Sequence, residues 1–103
     1  MSRRTVTARV DLLPTSEGGR SGRLLSGYRS LLRFEGSDLD FGFELELDAT
    51  VGSGGLAPGA SGTGRVSLWA TEELPSLFAG QRFELREGAR VVGRGTIVDP
   101  RIG

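Results

Sequence analysis

The side chains best equipped for chemistry in this sequence are thirteen arginines and thirteen carboxylates, and their scope is set by what is missing beside them. There is no histidine and no cysteine. That removes the usual neutral-pH acid or base, the commonest metal ligand and any thiol nucleophile. Glu44, Glu46 and Asp48 alternate along one run and so share a face, but no lysine or histidine lies near them in sequence to tune their ionisation. They read as a wet outer surface rather than as an acid–base pair or a metal site. The glycine-rich tract 51–64 (VGSGGLAPGASGTG) looks at a glance like a loop that cradles phosphate. The Lys-Ser/Thr ending and the helix that such a loop requires are both missing, which excludes a nucleotide site of that type. No catalytic residue, metal ligand or cofactor site is therefore assigned, and the chain does not read as an enzyme.

Arginine is the only basic residue type present. Its planar fork engages phosphates and stacks on bases in ways lysine cannot, so Arg20, Arg23, Arg29 and Arg33, with Arg3 and Arg4, are candidates for RNA contact. A GC-rich coding sequence is the plainer account of so much Arg, Gly and Ala together. Formal net charge is zero, which argues against a general binder of nucleic acid or anionic membrane. The charges are nevertheless segregated. Residues 1–34 hold seven arginines against two carboxylates, and residues 35–80 hold one against eight. If the first and last strands are neighbours, one side of the molecule is basic and another acidic. No apolar run approaches a membrane span, and Met1-Ser2-Arg3-Arg4 does not open a signal region, so a soluble, cytoplasmic protein is expected.

The elements that must position these groups are strands. At 103 residues the chain is long enough for one domain, residues 1–103, with its own core. Val6, Ala8, Val10 and Leu12 alternate with polar residues over 5–12, the period of a half-buried strand. Residues 14–23 are turn formers. Residues 28–34 form a second strand with one irregularity, since adjacent Leu31 and Leu32 must face opposite ways. Phe41, Phe43, Leu45 and Leu47 mark a third strand over 41–48, and 51–64 reads as a flexible loop too rich in Gly and Ser to pack. A fourth strand spans 65–70. The connection 71–80 has room for one helical turn, capped by Thr71 and limited by Pro75. A closing hairpin runs from Arg82 through the turn Glu87-Gly88-Ala89 to Val98, with Gly93 and Gly95 marking a bulge or a close backbone approach. Six strands with short turns predict an all-β fold, a closed six-stranded antiparallel β-barrel, with a two-sheet sandwich as the alternative.

Three phrases in order, Glu17-Gly18-Gly19-Arg20, Gly27-Tyr28-Arg29, and Arg82-Phe83 leading into Arg86-Glu87-Gly88-x-Arg90-x-Val92-Gly93-x-Gly95, resemble the third, carboxy-terminal β-barrel domain of translation elongation factor Tu. The resemblance covers nearly the whole chain and implies a stand-alone version of that six-stranded barrel. In the family this domain contacts the T stem of aminoacyl-tRNA, packs on the G domain and helps bind the nucleotide exchange factor. No G domain lies in these residues, so the resemblance implies no GTP site. Arg20, Glu87 and Gly88 match family positions that meet the tRNA, and Arg90 belongs to the same closing phrase. The chain departs from the family at Leu31, where a glutamine is usual, and at Asp40, where a threonine is usual; a carboxylate there opposes an approaching phosphate. Residues 69–78 lack the family's His-Pro. Gly18, Gly19 and Gly27 have a structural reason to persist, because barrel turns need positive φ. Leu31 and Trp69 are expected in the core or in an apolar patch, the latter favouring self-association. The functional expectation is a non-catalytic module that binds a protein partner or itself, with an RNA- or tRNA-binding accessory protein using the arginine-rich face as the alternative.

Overall fold

Alternation of apolar and polar residues carries directly into the backbone. The computed structural model describes residues 3–69 and 72–101, so Met1-Ser2, Ala70 and the expected cap Thr71 lie outside the described residues. Strands β1 (Arg3–Leu12), β2 (Tyr28–Phe34), β3 (Phe41–Leu47), β4 (Ser61–Trp69), β5 (Arg82–Glu87) and β6 (Arg90–Asp99) close in the order β1-β4-β3-β2-β5-β6. Every neighbouring pair is antiparallel. Because β1 pairs with both β4 and β6, the sheet has no free edge and the two-sheet alternative falls.

Closure follows from which face is apolar. Val6, Ala8, Val10, Leu32, Phe43, Leu45, Val66, Leu68, Leu85, Val92 and Ile97 are all buried inside one cylinder. Phe34 packs between Phe41 and Phe83, with ring centroids 6.0 and 6.3 Å away, and fills one end. Leu32 points in and Leu31 points out, resolving the irregularity in β2.

Two boundaries differ from expectation. The tract 51–64 is shorter as a loop than its composition implies, because β4 already begins at Ser61 and Leu56 is buried in an isolated bridge with Leu24. Glycine here serves close packing: a Cβ on Gly64 would stand 2.6 Å from the Glu46 carbonyl oxygen, and one on Gly62 would stand 2.8 Å from Leu56 Cδ2. The connection after β4 holds no helix among residues 72–80. Its backbone bonds to β6 instead, through Gly80 N–H to the Ile97 carbonyl at 2.7 Å and Ile97 N–H to the Gln81 carbonyl at 2.9 Å, while Leu74 and Leu77 pack on the core.

The closing hairpin matches its sequence reading. Gly88 takes φ +62° in the turn between paired Glu87 and Arg90, and the register slips between Leu85 and Arg86. A Cβ on Gly95 would lie 2.3 Å from the Phe83 ring, so this strand glycine makes room for an aromatic side chain. Gly64→Ala is expected to destabilise the barrel by about 1–3 kcal/mol in urea denaturation, because the obstacle is backbone that has nowhere to move.

Candidate functional site

Three separated segments meet at one corner of the barrel. Pro14 leads into a one-turn 3-10 helix, Thr15–Glu17, closed by Gly18 at φ +90°. Leu13 N–H bonds to the Val92 carbonyl at 3.0 Å, and Thr15 Oγ1 donates to the Arg20 carbonyl at 2.6 Å, which ties the loop to β6 and sets the position of Arg20. Gly19 is required there, since a Cβ would stand 2.2 Å from the Leu13 carbonyl oxygen.

Arg20 then lies over Tyr28, its guanidinium carbon 5.0 Å from the ring centroid. Its Nη1 donates to Glu87 Oε2, and the Tyr28 hydroxyl donates to the same oxygen at 2.6 Å. Arg90 reaches Glu87 Oε1 at 3.7 Å across the Gly88 turn. The carboxylate of Glu87 is thus held by two donors, Arg20 from the loop before β2 and Tyr28 at the start of β2, and by the nearby charge of Arg90 at the start of β6. Burial pushes its carboxyl up, but the hydrogen bonds from Tyr28 and Arg20 outweigh that and hold it below the ordinary carboxylate value. Tyr28 is displaced the other way, raised by burial and by its bond to Glu87.

Arg20, Glu87, Gly88 and Arg90 are therefore brought together as the sequence implied, and Arg23 adjoins them through a 3.4 Å bond from Arg20 Nη2 to its carbonyl. The Arg23 side chain turns away to pin the next loop, donating to the Gly54 and Gly55 carbonyls at 2.6 and 3.2 Å. Arg33 forks onto Asp40 at 2.8 and 3.2 Å. Arg29 lies over Trp69 at 5.9 Å and 3.6 Å from Glu44, whose Oε1 also accepts from Arg3 at 3.0 Å. Tyr28 belongs to this corner although its sequence context marks it only as the first residue of a strand; the glycine before it, at positive φ, is the signal that its side chain closes a turn.

These pairings correct the expectation of a basic side. The first and last strands are neighbours, yet β3 lies between β4 and β2, so its carboxylates meet arginines across each strand. Arg65 takes Glu46 at 2.6 Å in the same way. The outer row of Glu44 and Glu46 is ion-paired rather than simply solvated. Trp69 lies outside the core, beneath the Arg3 guanidinium at 5.3 Å.

The class of structure the chain forms is a closed six-stranded antiparallel β-barrel with an arginine–tyrosine–glutamate corner. The chain is similar to part of a translation elongation factor: it is 38% identical over 95 residues, 91% of its length, to elongation factor Tu 2 of Streptomyces avermitilis, and spans 22% of that protein. No protein-family model matches it.

A carboxyl with a lowered pKa stabilises the fold above its unfolded value and stops doing so as pH falls through the folded one. Resistance to urea is therefore expected to drop on acidification below about pH 4.5, the ordinary value for a glutamate. Tyr28→Phe should cost about 1–2 kcal/mol near neutral pH and flatten part of that acid-side loss.

Proposed function

We propose that this barrel is a non-catalytic binding module of the translation apparatus, acting in the cytoplasm and recognising a protein partner or a second copy of itself. The observation that carries this reading is neutralisation of the candidate phosphate contacts. Arg20 is held by Glu87, Arg29 by Glu44 and Arg33 by Asp40, so an approaching phosphate must displace a fixed carboxylate at each. Exposed Leu25, Leu39, Phe78 and Val98 offer apolar surface of the kind a protein interface uses. Relationship to part of a translation factor supplies the setting.

One observation favours a second reading, RNA or tRNA binding. The corner of Arg20, Glu87, Gly88 and Arg90 keeps family positions together, and Arg90 remains exposed for a backbone contact. Sedimentation and light scattering of the purified chain, alone and with translation proteins, run beside titration of labelled tRNA at two salt concentrations. Reversible self-association or a stoichiometric protein complex, weakened by Phe78→Ser, with little tRNA binding at low salt, is the expected result. A strictly monomeric chain that forms no complex, with tRNA affinity falling steeply as salt rises, would transfer the function to RNA.

A further inference from the structure

Arg3, Arg20, Arg23, Arg29 and Arg33 are all engaged, Arg4 is half-buried with an unpartnered Nε, and two later arginines stand free on the outer face. Among the described residues the guanidinium groups of Arg82 and Arg94 have no hydrogen bond or ion pair, and both residues are exposed on the outer face. Arg82 stands opposite Thr96 across β5 and β6, and Arg94 precedes Thr96 by two residues on the same face. Side chains so placed lie roughly 5–8 Å apart, close enough for two forks and a hydroxyl to converge on one small anion. Arg9, on the far side of Thr96 in β1, turns to Asp11 at 3.1 Å.

A groove of about 570 Å³ opens at this place, bordered by Arg82, Arg94, Thr96 and the β2–β3 turn at Gly36 and Ser37. That is the size of a small-molecule site. Three carboxylates also border it. Asp11 is taken by Arg9 and Ser61, and Glu84 by Arg86 at 3.0 Å, which leaves Glu35 as the unpaired acid on the rim. Arg33 borders it too but is committed to Asp40. The unpaired charges are thus two guanidiniums against one carboxylate.

We infer that this groove binds a single phosphate group carried by a small molecule or free in solution, with Arg82 and Arg94 forking onto its oxygens and the Thr96 hydroxyl donating between them. The small patch these three residues share on one face distinguishes it from a nucleic-acid track. Arg94 stands in register between Asp11 and Glu84, both already bonded to other residues, so space for added negative charge is confined to the patch between Arg82, Arg94 and Thr96, which suits one compact anion and not a run of phosphodiesters. The site lies at the opposite end of β5 from Gly88, roughly 17 Å along the strand, and does not depend on the role proposed for the corner.

Amide spectra of the labelled protein, titrated with inorganic phosphate at constant ionic strength against chloride, test it. Saturable shifts at Arg82, Arg94 and Thr96 are expected. The double variant Arg82→Gln and Arg94→Gln should weaken phosphate at least tenfold while leaving the remaining spectrum in place. Glu35→Gln should tighten it by about two- to fivefold, which a purely structural role would not do. A nucleoside monophosphate binding more tightly than inorganic phosphate identifies the carrier as organic, and equal affinity identifies free phosphate. Equal shifts from chloride, shifts centred on Arg20 and Tyr28, or displacement of phosphate by a short RNA with steep salt dependence would overturn the assignment.

Discussion

Closure of the sheet through β1 is the constraint from which the other features follow, because it leaves each strand with one dry face and one wet face and no spare backbone. Inside, large side chains must share a narrow cylinder. Phe83 and Gly95 show the compromise: the ring occupies the space that any side chain at residue 95 would need. Outside, each residue has fixed neighbours across both adjacent strands, so the order of strands decides which charges meet. A chain whose basic and acidic segments are far apart in sequence therefore becomes a surface of alternating ion pairs.

Most of these pairs are exposed, and exposed pairs contribute about 0–1 kcal/mol each. Their clearer effect is on the charge each arginine presents to its surroundings. Arg33 locked onto Asp40 offers a weaker attraction to a phosphate than a free guanidinium would, and Glu44 serves two arginines at once. The corner at Glu87 differs in being partly buried and in joining three chain segments, so the same contacts that resemble a binding feature also fasten the loop before β2 to the closing hairpin.

Tight approach explains a composition that misleads when read linearly. Gly62 and Gly64 belong to a tract whose Gly and Ser content signals a loop, yet their missing side chains let β4 lie close to Leu56 and to the Glu46 carbonyl of β3. Proline and backbone pairing have the converse effect in residues 72–80, where room for a helical turn exists but the hydrogen-bonding groups flanking β5 are taken by β6.

The strands were legible in the chain itself, since the alternation of Phe41, Phe43 and Leu45 with Gly42, Glu44 and Glu46 has one solution for a half-buried segment, and the positive φ at Gly88 follows from the hairpin around it. The Arg20 and Glu87 positions were also legible, through the phrases that contain them. What no linear reading could supply was the pairing partner of each charge. Whether Arg29 faces solvent or Glu44, and whether Arg82 and Arg94 stay free beside Thr96, depends on strand order and register, which bring together residues more than ten positions apart. Local sequence sets which face a side chain takes; only closure of the barrel sets what stands opposite it.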